Sequence, residues 1–234
     1  MPKLLDHPIT KLRPPEFPER IQLYSFPTPN GIKVSSMLEE TGLPYEAHTI
    51  NISKGDQLTP EFLALNPNNK IPAMIDPNGA DGDAVVIFET AAIMIYLAEK
   101  SGKFLPTAAL PRAETLSWLM WQMGGLGPML GQFGHFHKFA ADKTSDTYAK
   151  DRYVDEAKRL LGVLDKHLIG QDFVAGGEYT IADMAIWPWL KGIGFYGGED
   201  ILELEKFTNV TRYLALHAGR PASRKAVNIP PREG

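Results

Sequence analysis

From Ile21 the chain alternates apolar and polar positions, Ile21-Gln22-Leu23-Tyr24-Ser25-Phe26, as a short strand does. Gly31 to Thr41 follows with helical spacing and stops before Gly42. Tyr45 to Ile52 reads as a second strand, and a β-α-β unit of this kind requires a parallel pair. Pro60 to Leu65 predicts a short helix. Ala73 to Asp76 and Val85 to Phe88, joined by the turn-rich Asp76-Pro-Asn-Gly-Ala-Asp-Gly-Asp83, predict a hairpin, and a helix from Glu89 to Ser101 closes the set. After Gly102-Lys-Phe-Leu-Pro106 and Pro111 the period turns helical: Arg112 to Met123, Tyr148 to Leu168, Ile181 to Lys191 and Asn209 to Ala218 each carry apolar residues at helical spacing. Prolines at 2, 8, 14, 15 and 18 predict that residues 1–20 form an extended arm, on the surface or on a partner subunit. The organisation expected is therefore an arm at 1–20, an α/β domain at 21–101, a linker at 102–111, an all-helical domain at 112–222 and a tail at 223–234. The β-α-β-α-β-β-α order of the first domain is the thioredoxin-like order.

Composition changes this picture at one point above all: the chain has no cysteine. Disulfides, thiolate metal sites and a protein-borne thiol nucleophile are excluded, so any sulfur chemistry must use a thiol that a ligand brings. At 234 residues and 44% hydrophobic content there is enough apolar material for two cored domains. Twenty-four basic against 28 acidic residues leave a net charge of -4, which argues against nucleic acid as a partner. No run approaches a signal peptide or a membrane span, which predicts a cytoplasmic protein with no membrane partner. His135 and His137 stand two apart, on nearly opposite sides of a helix, with no third ligand beside them, so no metal is expected. Thr180-Ile-Ala-Asp183 resembles a capping box, and Trp118, Trp121, Trp187 and Trp189 suit a core or a cleft wall.

Three segments carry candidate chemistry. Phe26-Pro-Thr-Pro-Asn-Gly-Ile-Lys33 occupies the turn where a thioredoxin-like redox enzyme keeps Cys-x-x-Cys, because a helix N-terminus stabilises a thiolate. Here Thr28 and Asn30 stand in that turn; a hydroxyl and an amide donate hydrogen bonds to a sulfur anion, although the same residues also make an ordinary helix cap. Pro72, in Asn68-Asn-Lys-Ile-Pro-Ala-Met74, opens a predicted strand: a cis Ile71–Pro72 bond would expose the Ile71 backbone to a peptide ligand, and a trans proline at a strand start is the commoner alternative. In Phe88-Glu-Thr-Ala-Ala92, Thr90 and the first helical N–H groups suit a carboxylate and Glu89 an ammonium; capping by Thr90 explains the segment equally well.

Taken in order, these segments from Ile21 to Lys100 resemble the N-terminal domain of the glutathione transferases. Thr-Pro-Asn-Gly-Ile-Lys, Lys54-Gly-Asp-Gln57, Pro67-Asn-Asn-Lys-Ile-Pro72 and Trp121-Gln-Met-Gly-Gly-Leu-Gly-Pro-Met-Leu-Gly-Gln132 are similar to the bacterial nu class, related to the fungal nitrogen-regulatory prion proteins. The resemblance implies a thioredoxin-like domain followed by an all-helical one, a homodimer, and glutathione as substrate, two molecules per subunit or glutathione disulfide. It implies a cis Ile71–Pro72 bond, Thr28 and Asn30 facing the glutathione sulfur and Ile71 pairing with the cysteinyl backbone. Gln57 and Lys70 would hold the glycine end, Glu89 and Thr90 the γ-glutamyl end, and Arg152 would reach glutathione from the helical domain. No activating tyrosine, serine or cysteine stands at 28 or 30, and Tyr24 lies within the strand. The activity implied is glutathione-dependent reduction of a small disulfide; conjugation to an electrophile and glutathione binding without turnover are the alternatives.

Overall fold

The computed structural model describes residues 4–79, 82–143 and 145–232, and divides into two compact units. One holds the chain up to Lys103 and again from Pro221 onward; the other holds Phe104–Arg220. Strand β1 (Ile21–Ser25) is the centre of the first unit: all five residues are buried, Gln22 and Ser25 included, as in a strand covered on both faces. Strand β2 (Tyr45–Thr49) pairs with it in parallel, Ile21 opposite Tyr45 and Ser25 opposite Thr49. On its other side β3 (Ala73–Asp76) runs antiparallel, and β4 (Val85–Phe88) runs antiparallel to β3, giving the order β2-β1-β3-β4. The hairpin of β3 and β4 is formed as predicted; Ala80 and Asp81 of its turn lie outside the described residues. Helices α2 (Pro29–Thr41), α3 (Pro60–Leu65) and α4 (Thr90–Ser101) complete the α/β order. Asp76 is 1% exposed and ties α4 to the sheet, accepting from the Tyr96 hydroxyl and pairing with Lys100, each at 2.7 Å.

The expectation of an extended arm fails. Leu4–Asp6 forms a 3-10 turn and Ile9–Leu12 a short helix, α1. Proline opposes a helix from within, yet Pro8 stands at the N-cap, where its missing N–H costs nothing, and the window before Pro14 is just long enough for one turn. Burial supplies the rest: Ile9 is fully buried and, with Leu4, packs into a cluster with Tyr24, Ile50, Phe62, Leu65, Ala73 and Ile75.

The second unit is helical: α5 (Ala109–Trp121), α6 (Gly127–Gly134), α7 (Tyr148–His167), α8 (Ile181–Tyr196) and α9 (Thr208–Ala218). Helix α8 runs past Lys191 to Tyr196 with Pro188 inside it. The stretch from Gln122, to which the sequence assigns no element beyond Met123, holds two π turns: Gln122–Leu126 joins α5 to α6, and His135–Phe139 extends α6. Thr180 and Asp183 form the capping box, Asp183 accepting from the Thr180 N–H at 2.9 Å. No described helix is long and apolar enough to cross a membrane. Helicity expected to end at residue 222 in a tail instead continues in α10 (Pro221–Ala226), which belongs to the first unit. There the Ser35 hydroxyl donates to the Ala226 carbonyl at 3.1 Å and Thr49 to that of Pro231 at 3.0 Å.

Candidate functional site

The sheet register gathers the predicted residues. Tyr24 lies opposite Ala73 and Ala73 opposite Phe88, while Ser25 lies opposite Thr49. The chain leaving β1, β2 and β4 and the chain entering β3 therefore all emerge at one end of the sheet. Four separate segments meet there: Phe26–Asn30, Asn51–Leu58, Asn66–Pro72 and Glu89–Thr90.

Thr28 is the N-cap of α2, with extended backbone (φ -97°, ψ 168°), and its Oγ1 accepts from the Gly31 N–H at 3.3 Å. With an oxygen lone pair used in this way, the hydroxyl hydrogen points elsewhere. Asn30 sits in the first turn, half-exposed, where the helix dipole favours an anion. Gly31 is required for this tight entry, since a Cβ there would lie 2.0 Å from the Phe26 carbonyl oxygen. Tyr24 is fully buried and its hydroxyl has no partner among the described residues. Burial pushes that hydroxyl's pKa up, so Tyr24 is not a group that could ionise a thiol.

Gln57 stands in the 3-10 turn Asp56–Leu58. Its side-chain oxygen is buried with no partner among the described residues, an acceptor in want of a donor. The turn is anchored by Asp56, which accepts from the Asn51 N–H at 2.9 Å and from Arg13, just beyond α1, at 3.0 Å. The buried Asn66 shapes the next segment, accepting from the Asn68 N–H at 2.9 Å and donating to the Lys70 carbonyl at 2.7 Å. Lys70 is exposed, and the Ile71–Pro72 bond that follows is cis. Ile71 precedes the paired register of β3, which begins at Ala73.

Glu89 stands at the N-cap position of α4 with no side-chain capping bond, at φ 71° and ψ 120°, a conformation that a residue with a side chain adopts at a cost of about 1–3 kcal/mol and that clusters at functional sites. Thr90, 6% exposed, begins the helix. Behind it lies a residue to which the sequence reading gave no role. Lys33 of α2 is 1% exposed, and its ammonium donates to Thr90 Oγ1 at 3.4 Å. Burial pulls its pKa down to about 7, against the upward pull of Glu89. A lysine between Ile32 and Val34 on a helix packed on both sides was the available signal. Arg13 was missed because it works through Asp56, 43 positions away; Asn66, whose side chain bonds to Asn68 and Lys70, was within reach of a local turn reading and was also passed over.

Arg152 is exposed on α7 of the second unit. His137 Nε2 donates to the Gly197 carbonyl at 3.1 Å and its ring stacks on Phe133, while His135 packs edge-on to Phe136. Among the described residues no three His, Cys, Asp or Glu side chains are grouped as a metal site would need.

Comparison with known proteins yields a consistent set. The profile of the glutathione S-transferase N-terminal domain matches residues 28–100, and that of the glutathione S-transferase C-terminal domain matches 147–216. The disulfide-bond oxidoreductase YghU of Escherichia coli is 45% identical over 214 residues, covering 88% of this chain and 73% of that protein. A glutathione transferase of Burkholderia graminis, solved with two glutathione molecules per subunit, superposes with a TM-score of 0.97 at 53% identity, covering 99% of this chain and 97% of the other. One from Pseudomonas putida, solved with one glutathione disulfide per subunit, gives 0.96 at 52% identity, covering 98% and 100%.

Proposed function

The chain belongs to the glutathione S-transferase family, and from that premise we propose that it is an enzyme that reduces disulfides with glutathione, holding the thiolate at Thr28 and Asn30. The observation that carries this reading is a helix N-terminus bearing Thr28 and Asn30, in the first strand-to-helix turn of a thioredoxin-like unit, in a chain without cysteine. Glutathione supplies the sulfur. Its thiolate, stabilised by the Thr28 hydroxyl, the Asn30 amide and the α2 N-terminus, attacks one sulfur of a small disulfide; the S–S bond breaks, a glutathione mixed disulfide forms and the other half leaves as thiolate. A second glutathione thiolate attacks the mixed disulfide, giving glutathione disulfide and releasing the remaining thiolate. Two thiols are oxidised, one disulfide is reduced, and no protein base is required. The relatives crystallised with two glutathiones or with glutathione disulfide support this stoichiometry.

In this reading Ile71 pairs its backbone with the cysteinyl residue, Gln57 and Lys70 hold the glycine end, and Glu89 and Thr90 hold the γ-glutamyl end. The orphan Gln57 oxygen and the strained Glu89 backbone support those assignments. A two-fold homodimer completes the reading: Val86 and Phe88, 41% and 38% exposed on the edge strand β4, are apolar surface that a second subunit would cover. The reaction consumes reduced glutathione and so fits the reducing cytoplasm.

The test is reduction of hydroxyethyl disulfide by glutathione beside conjugation of chlorodinitrobenzene, with products identified by mass. Fast formation of glutathione disulfide and slow formation of thioether is the expected result. Thioether as the main product would assign the thiolate to attack on carbon, and glutathione binding without either product would make the chain a binding protein.

A further inference from the structure

Lysine is almost never fully buried without a partner, and Lys33 is among the largest side chains wholly inside this molecule. It lies on α2, which packs directly against α4, and its ammonium meets the first residue of α4. An ammonium has three donors and no acceptor, so in the Lys33–Thr90 contact the Thr90 oxygen accepts. The Thr90 O–H is thereby turned away from Lys33.

At that point α4 also presents its opening N–H groups, and its N-terminus carries roughly half a positive charge. Glu89, the carboxylate that acts on Lys33, belongs to the same turn, and its left-handed backbone aims the chain into α4. An ammonium behind a hydroxyl at a helix N-terminus is a graded donor: the charge polarises the hydroxyl, and a hydrogen bond from the hydroxyl to an anion is strengthened by the one it accepts.

We propose that Lys33 is a positioning residue for the γ-glutamyl α-carboxylate of glutathione: its ammonium holds the Thr90 oxygen so that the hydroxyl donates to that carboxylate. This rests on the reading of Glu89 and Thr90 as the γ-glutamyl end of the site. Lys33 touches no substrate itself; it sets the direction and strength of a donor that does. A donor strengthened in this way favours a tripeptide with a free α-carboxylate over one without it. Burial has already brought the lysine's pKa to about 7, so an arriving carboxylate acts on a group whose charge is easily shifted.

Calorimetric titration with two ligands tests this: glutathione, and γ-aminobutyryl-cysteinyl-glycine, the same tripeptide lacking that carboxylate. Wild-type protein is expected to prefer glutathione. Lys33→Met should weaken glutathione about tenfold and leave the analogue within twofold, so that the preference collapses. Thermal melts of the variant accompany the titration, so that the affinities are compared on folded protein. Thr90→Val provides an independent arm: it should show the same collapse, and adding Lys33→Met to it should weaken glutathione no further, because the lysine acts through the hydroxyl. Equal loss of both ligands in Lys33→Met, or additive losses in the double variant, would overturn the proposal. Wild-type protein that binds both ligands equally would instead bring down the γ-glutamyl reading on which it rests.

Discussion

Thr28 and Asn30 stand two residues apart at the same helix end, and the structure sets Thr28 apart as its cap. Thr28 Oγ1 is committed to the Gly31 N–H, so the residue caps α2 whatever else it does. Its replacement by alanine should cost about 1 kcal/mol of stability through the lost cap and lower disulfide-reductase kcat/KM less than tenfold. Asn30 lies further on in the same turn, and in the proposed function its amide donates to the ligand sulfur. Asn30→Ala should lower kcat/KM by roughly 10²-fold, the scale seen when a preorganised donor to a developing anion is removed, with a much smaller change in the unfolding midpoint. Steady-state kinetics and urea melts on the two variants check the division; equal, small losses of turnover would reverse these roles. The placement of this pair at the turn into α2 was legible from residue order, and the role proposed for it at the sulfur came from the resemblance to the glutathione transferases. Lys33 was not, since its meaning depends on Thr90, 57 positions away, coming to lie beside it.

At the scale of elements, strands and helices with strong periodicity were read almost to the residue, while the run from Trp121 to Phe139 was not. Its composition explains why. Gly124, Gly125, Gly127, Gly131 and Gly134 lower helix propensity and blur the hydrophobic period, and two π turns shift the phase of whatever period remains. The glycines have a packing reason that appears only with α8 in place. A Cβ at Gly127 would lie 2.4 Å from the Gln122 amide nitrogen and 3.2 Å from the Trp189 ring nitrogen, one at Gly131 3.3 Å from the Trp189 ring, and one at Gly134 2.6 Å from the Tyr196 ring. Helix α6 thus approaches α8 on a face without side chains, and the aromatic residues of α8 fill it. Gly134→Ala should destabilise the helical unit by about 1–3 kcal/mol, because Tyr196 must leave its place. Gly124 faces open space, and Gly124→Ala should instead be neutral or stabilising by up to about 1 kcal/mol. Thermal unfolding of the pair gives opposite signs if packing, rather than helix propensity, decides; destabilisation by both would show that the π turn itself needs glycine. The same dependence on distant contacts hid the helical nature of the proline-rich start, where burial of Ile9 outweighs local composition.

At the scale of the molecule, the helical unit carries two buried titrating groups whose effects on stability oppose each other. Asp183, fully buried, accepts from the N–H groups of Val174 and Thr180 and from the Tyr213 and Thr180 hydroxyls, yet burial still raises its pKa to about 6 from an ordinary 3.8. His217, also fully buried, lies with Nε2 4.0 Å from Asp183 Oδ1 and bonded to the Asp172 carbonyl at 2.9 Å. Burial lowers its pKa to about 4 from 6.5, so near neutral pH the two groups do not form an ion pair. Between about pH 4 and 6 the folded unit holds a proton on Asp183 that the unfolded chain has released, and stability falls as pH rises. Over about pH 4 to 6.5 the unfolded chain holds a proton on His217 that the folded unit lacks, and stability rises with pH. Each slope approaches about 1.4 kcal/mol per pH unit, with opposite sign, so the wild-type unit should show little dependence on pH across their common window. Substituting either group exposes the other. His217→Gln should lose stability as pH rises from 4 to 6, and Asp183→Asn should gain it from 4 to 6.5. All four tryptophans, Trp118, Trp121, Trp187 and Trp189, lie within Phe104–Arg220, so their fluorescence in urea melts reports this unit alone. Two variants with equally flat profiles would mean that neither group titrates in the folded state, and the balance built around the capping box would not exist.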